Sequence, residues 1–410
     1  MSEINLNLKL ECYPTPNKED IENAIASIKQ NSSKWDYPFF MDVYAHSDVR
    51  HFKEIVDLYL NNDGIKNVII LGTGGSIQTM LALQSFSKKT IVPITSSRPH
   101  ELKWALENTS PKDSVVIPIS RAGNTLDVNS VINLFRDYPM IALSSMGQMY
   151  DLVKSLNATI IPVPDLSGRF AASVCSVALV PALVCGIDVN EFMKGLDDGY
   201  RYFKDLHHIE QNLALQYATF LFNQYQKGFR NVFSMPYSSY FEGSAGLFIQ
   251  ELSESSGKEG KGMLGTGQAA PLCQHSVLEL LLGGSKGHST PLLWTSSQEP
   301  ADVELNSIET RLKGMTGLQV INYQASATFE ALLHQKVPTA RIDTPISVYN
   351  IGQLIAWIQS SVYYFCLLLD VNWSSNPLVI SGKKICNEAI EKKMDEKAMQ
   401  ENRKRVAELF

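Results

Sequence analysis

The sequence predicts an α/β protein with two mainly parallel sheets, each flanked by helices as an α-β-α sandwich. Short apolar runs alternate with segments of helical spacing. The alternation occurs twice, on either side of a long helical stretch near 189–227. Composition agrees: 410 residues, 44% hydrophobic and 19% charged, give room for two domains and a sizeable core.

In chain order, residues 1–50 read as a helical or extended N-terminal segment. A first domain, 51–188, contains strands at 67–71 (NVIIL), 90–94 (TIVPI), 114–119 (SVVIPI), 139–143 (PMIAL) and 159–163 (TIIPV), with helices such as 77–86 and 125–135 between them. A helical connector spans 189–227. A second α/β domain, 228–386, has strands at 230–234, 291–295 and 317–322, a helix near 240–255 and a long apolar helix near 346–369. The tail 387–410 is densely charged and reads as an exposed or docking helix. Both halves carry the same pattern, without visible similarity in sequence.

Charge and cysteines narrow the function. A net charge of −6 with no long basic run disfavours nucleic acid as a partner. The six cysteines (Cys12, Cys175, Cys185, Cys273, Cys366, Cys386) are scattered without zinc spacing, as expected of reduced thiols in a cytoplasmic protein. The N-terminus has acids and amides where a signal peptide needs a basic and then an apolar run. Two uncharged stretches, Phe170–Ile187 and Thr344–Leu369, lack flanking positive clusters, so they read as buried helices rather than membrane spans.

Two loops carry chemistry. "NVIILGTGGSIQT" (67–79) is a strand, a glycine-rich turn and a helix start. Ile77 occupies the third glycine position of a dinucleotide fingerprint, and the next strand ends in Thr95, Ser96 and Ser97 rather than an acid. No lysine follows, which removes the nucleoside-triphosphate loop. Two readings remain: a cradle for one phosphate, built from backbone N–H groups of Gly74 and Gly75 with the Ser76 hydroxyl, or a tight turn that needs glycine for packing. The second loop, "VVIPISRAGNTLDV" (115–128), places Ser120, Asn124 and Thr125 at another helix start. Two such loops at the ends of parallel strands can converge on one phosphate, and capping is compatible with that role.

In this order the motifs resemble those of sugar-phosphate-binding SIS domains. A longer set resembles the glucose-6-phosphate isomerase family: "SGRF" (167–170), "MPYSSYFEGSAGLFIQELSESSGK" (235–258), "GTGQAAPLCQHSVLELLLGG" (265–284) and, more faintly, "NPLVISGK" (376–383). The resemblance spans roughly 65–385, and 235–258 is its most specific block. It implies two SIS-type domains and an isomerase without metal or redox cofactor, acting on a phosphosugar.

The residues themselves permit this. Gln250 and Glu254 are four apart and share a helix face. A carboxylate in a helix's last turn meets the negative end of the dipole, which favours a base nearer neutrality. The resemblance assigns Glu254 as the base moving a proton between C1 and C2. It assigns His275 and Lys383 to ring opening, and Arg169, beside Gly168, to the enediolate charge. In the family the histidine comes from the neighbouring subunit, which implies a homodimer. On residue type alone, Glu254 reads as a solvated glutamate, His275 as a surface or capping histidine, Arg169 as an ion-pair partner and Lys383 as a solvated lysine.

The match departs from the family in places. Arg121 and Ala122 stand where the family has Lys and Thr; Arg121 keeps a positive charge. Near the C-terminus, Ser374, Ser375, Asn376, Leu378, Val379 and Ile380 replace most of the expected pattern. These departures bear on substrate identity more than on reaction class. The expected activity is interconversion of glucose 6-phosphate and fructose 6-phosphate. The alternatives are a sugar-phosphate sensor without turnover and an isomerase of another phosphosugar such as mannose 6-phosphate.

Overall fold

Strand β2 (Asn67–Leu71) shows how the first sheet is built. Its side chains alternate between faces: Val68 and Ile70 enter one apolar core, Ile69 and Leu71 another. Strand β4 (Ser114–Pro118) does the same, with Val115 and Ile117 on the first face and Val116 on the second. A strand apolar on both faces must be covered on both, which explains the continuous run NVIIL. The computed structural model describes residues 4–35, 39–166, 168–207, 211–284, 289–393 and 395–407, apart from the side chains at 168, 169 and 402.

In the first sheet β2 lies between β3 (Thr90–Ile94) and β4, all parallel. Parallel bridges Val116↔Met140 and Ile119↔Leu143 extend it toward β5 (Ile141–Leu143), which pairs with β6 (Thr159–Ile161). The spatial order β3-β2-β4-β5-β6 reverses beside β2. Open parallel sheets bind ligands beyond the carboxyl ends of strands at such a reversal.

The second sheet has the order β1-β10-β9-β7-β8. β7 (Asn231–Pro236), β8 (Leu264–Gly267), β9 (Ser289–Thr295) and β10 (Thr339–Asp343) are parallel, and β1 (Lys9–Tyr13) closes one edge antiparallel to β10. The inner faces of both sheets share one core with the helices Gly75–Leu83, Ser176–Val184, Val189–Phe203, Leu213–Gln226, Glu242–Ser256 and Val348–Leu369. The last of these is the one helix among the described residues long and apolar enough to cross a bilayer, and its apolar window is wholly buried in protein.

Several expectations need correction. Residues 317–322 are not a strand: they open the helix Gly317–His334, whose start is fixed by a capping box between Thr316 and Gln319. The apolar run LQVI fits either period, and the cap decides it. Residues 125–135 form no continuous helix but a short turn, Leu126–Asn129, and a 3-10 turn, Ile132–Phe135. The tail is helical from Val379 and breaks between Glu391 and Glu396. Contacts divide the chain into two units, Met1–Trp373 and Ser374–Phe410, so both sheets and the helices of 189–227 belong to one unit.

Candidate active site

The first candidate phosphate loop follows the end of β2. Gly74 adopts φ +58 and ψ −137, a backbone that only glycine takes readily, and it supplies no side-chain cap to the Gly75–Leu83 helix. No side chain caps the first turn; there Ser76 N–H donates to the Thr73 carbonyl at 3.3 Å and Ile77 N–H to the Gly74 carbonyl at 3.2 Å. Ser76 turns its hydroxyl back onto the Thr73 carbonyl at 2.9 Å. Gly74, Gly75 and Ser76 are half-buried.

The second loop lies beside it. Ile119 N–H donates to the Leu71 carbonyl at 2.8 Å, continuing the β2–β4 pairing into the loops. The Ser120 and Thr125 hydroxyls stand 2.8 Å apart, and Ser120 is buried at 4% exposure. Thr125 makes no side-chain cap to Leu126–Asn129, so its hydroxyl faces Ser120 instead. Asn124 is exposed and accepts from Gln148 N–H at 3.4 Å. Arg121 pairs with Asp165 at 2.6 Å, with both side chains open to solvent. An anion at this loop would share Arg121 with Asp165, an exposed pair of small intrinsic strength.

The candidate base arrives from the second sheet. The Glu242–Ser256 helix follows β7 and lies on the Gly75–Leu83 helix, where the approach is close: a Cβ on Gly243 would stand 2.0 Å from the Leu81 carbonyl oxygen. That contact brings the later turns of the helix to the first phosphate loop. A Cβ built on Gly74 would stand 3.3 Å from Gln250 Nε2. Gln250 Nε2 donates to Glu254 Oε2 at 3.1 Å, and its own Oε1 finds no partner among the described residues. Glu254 is half-buried. The structure therefore gathers Gly74, Gln250 and Glu254, with Ser120 and Thr125 on the neighbouring loop.

Lys258 corrects the electrostatic picture. Its buried ammonium donates to the carbonyl oxygens of Glu254, at 3.0 Å, and Ser255. A cation on the last carbonyls offsets the negative helix end that the sequence placed near Glu254. The spacing from Glu254 to Lys258 is legible in the sequence, but not that the ammonium turns inward.

The other expected residues lie elsewhere. Arg169 and Gly168 belong to the short helix Gly168–Ala171, and the Arg169 side chain falls outside the described residues. His275 ends the 3-10 turn Leu272–His275 after β8 and is exposed. It precedes the Leu278–Gly283 helix rather than starting it. Its neighbour Gln274 is anchored by Tyr237 Oη at 2.7 Å and by the Thr328 hydroxyl, an anchorage invisible to sequence reading. Lys383 is exposed on the Val379–Glu391 helix of the second unit.

Proteins of similar sequence and fold are known. The glucose-6-phosphate isomerase of Methanocaldococcus jannaschii is 24% identical over 389 residues, covering 90% of this chain and 94% of that protein. The chain is similar in sequence to glucose-6-phosphate isomerases. Among solved structures, a glucose-6-phosphate isomerase from Chlamydia trachomatis superposes with a TM-score of 0.79 at 16% identity, covering 98% of this chain and 92% of that one. A hypothetical protein from Thermus thermophilus gives 0.83 at 20% identity, covering 93% and 99%. These structural likenesses establish the shared fold. No protein-family model matches the chain.

Proposed function

We propose that the protein is an aldose–ketose isomerase interconverting glucose 6-phosphate and fructose 6-phosphate, a step of glycolysis and gluconeogenesis. The observation that carries this reading is the Gln250–Glu254 pair against Gly74. A sensor needs only the phosphate loops; a carboxylate held by an amide beside them suits proton transfer. No observation favours the sensor or a mannose 6-phosphate preference.

In the forward direction the phosphate rests on the backbone N–H groups of Gly74 and Gly75 and the hydroxyls of Ser76, Ser120 and Thr125, with Arg121 and Asn124 at its edge. His275 and Lys383 assist ring opening. Glu254 takes the proton from C2, the C2–H electrons form the C1–C2 double bond, and the C1 carbonyl electrons move onto their oxygen, which takes the proton of the C2 hydroxyl and leaves the negative charge on the C2 oxygen. The resulting cis-enediolate, its charge stabilised by Arg169 near Gly168, collapses to a carbonyl at C2, and Glu254 returns its proton to C1. Acid–base transfer of this kind contributes about 10²–10⁴-fold, with positioning and charge stabilisation adding to it.

The reading includes a cytoplasmic homodimer in which His275 serves the partner's site. Exposed leucines on either side of His275 support it: Leu272 is 63% and Leu280 64% exposed, an apolar surface suited to a second copy. The test is a coupled assay of fructose 6-phosphate conversion. Turnover by the wild type, lost in Glu254→Gln, is expected; phosphosugar binding without turnover would replace the isomerase with the sensor.

A further inference from the structure

Beneath the candidate site runs a chain of buried polar side chains to which the proposed mechanism assigns no role. At its centre Gln359, in the Val348–Leu369 helix, engages both ends of its amide. Nε2 donates to Glu251 Oε1 at 2.8 Å and to Ser173 Oγ at 3.1 Å, and Oε1 accepts from the Tyr200 phenol. Ser173 Oγ lies 3.0 Å from Thr79 Oγ1. Gln359, Glu251 and Ser173 are fully buried, with Thr79 at 2% and Tyr200 at 3% exposure. Burial first, and the Glu251 carboxylate second, push the Tyr200 phenol well above its ordinary range, so it remains a donor.

The ends of this chain reach three parts of the site. Thr79 stands on the Gly75–Leu83 helix, three residues beyond Ser76. Ser173 lies in the turn Ala172–Val174, directly after the helix that carries Arg169. Glu251 neighbours Gln250 and precedes Glu254 by three residues, within one turn.

We infer that Gln359 and Glu251 are positioning residues for the isomerisation: their bond fixes the rotation of the Glu242–Ser256 helix against the phosphate loop and so sets where the Glu254 carboxylate stands over the sugar. This rests on the isomerase reading above. Apolar contacts around Phe248 and Leu252 resist separation of the helices but have little directional preference, whereas an amide–carboxylate hydrogen bond has direction. Side-chain tips lie about 5–6 Å from a helix axis, so a rotation of roughly 10° shifts a carboxylate by about 1 Å. A misplacement of that size costs on the order of 10² in rate. For packing alone, apolar residues of similar volume would serve as well as a buried carboxylate.

The test measures kcat and KM for fructose 6-phosphate in the wild type, Gln359→Glu, the double variant Glu251→Gln with Gln359→Glu, Thr79→Val and Thr79→Ser. Gln359→Glu sets carboxylate against carboxylate. It is expected to lower kcat by about tenfold or more while KM stays within about twofold. The double variant restores an amide–carboxylate pair with the charge moved to the other helix, and is expected to recover kcat to within about threefold of the wild type. Should Gln359→Glu fail to fold, Thr79→Val keeps the volume and breaks the far end; it is expected to lower kcat by about threefold at unchanged KM, with Thr79→Ser restoring it. An unchanged kcat in Gln359→Glu or Thr79→Val, a loss confined to KM or to the folded fraction, or a double variant no better than the single would overturn the inference. A wild type without turnover would instead contradict the isomerase reading.

Discussion

Gln250 Nε2 donates to Glu254 Oε2 at 3.1 Å, and the same nitrogen stands 3.3 Å from where a Cβ on Gly74 would lie. One side chain thus faces the candidate base on its own helix and the candidate phosphate loop of the other sheet. The arrangement arises because the Glu242–Ser256 helix leaves β7 and runs along the Gly75–Leu83 helix, so its last turns, rather than its start, reach the end of β2.

Gly74→Ala tests that junction. The φ of +58 with ψ −137 is a backbone essentially reserved for glycine and carries a strain of about 1–3 kcal/mol for a residue with a Cβ, and the new methyl presses on Gln250. Denaturant melts should show a loss of that order, with a raised KM for fructose 6-phosphate. Unchanged stability and KM would mean that the turn is not held as described.

Gly243→Ala tests how the two helices meet. A Cβ there would lie 2.0 Å from the Leu81 carbonyl oxygen, so the helices must separate. A destabilisation of about 1–3 kcal/mol is expected, as for overpacked cores, and turnover should fall because Glu254 moves with the helix. A crystal structure of the variant with the helix unmoved would contradict this.

Lys258→Met removes the two hydrogen bonds from the ammonium to the carbonyls of Glu254 and Ser255 at the helix end. The expected loss is about 1–3 kcal/mol in denaturant melts. A variant as stable as the wild type would deny the cap its role.

Burial raises the thiols of Cys175 and Cys185 to about 11 in the folded chain, from 9.0 for a free group. A raised folded value means that the native state holds the proton longer than the unfolded one. The stability this contributes is complete below about 9 and is lost as pH rises toward about 11. Urea midpoints should therefore fall across that window. Of the six thiols only Cys386 is exposed, so a thiol reagent should label one cysteine per native chain; two or more would contradict the burial.

The shared-site reading of His275 has its own test. Glu254→Gln and His275→Ala subunits, each inactive alone, should regain activity when mixed into hybrid dimers, because one of the two sites then holds both intact groups. Hybrids that stay inactive would place the two residues in the same chain's site.

Much of this was legible in the sequence, for physical reasons. Strands such as 67–71 and 90–94 were readable because strands buried on both faces demand unbroken apolar runs. The Gln250–Glu254 pair was readable because four residues is one helical turn. Residues 317–322 were misread because an apolar run has no period of its own, and the Thr316–Gln319 cap settles it. β1 was readable only as part of a helical or extended segment, because its partner β10 lies more than three hundred residues away. The chain through Thr79, Ser173, Gln359 and Glu251 was hidden for the same reason: its members come from separate helices and turns, and only packing brings them together.

The most direct measurement is the conversion of fructose 6-phosphate to glucose 6-phosphate by the wild type and by Glu254→Gln, followed through a coupled dehydrogenase. Turnover by the wild type is expected, with a loss of about 10²–10⁴-fold in kcat in the variant and KM little changed. Normal turnover by Glu254→Gln would contradict the assignment of Glu254 as the base.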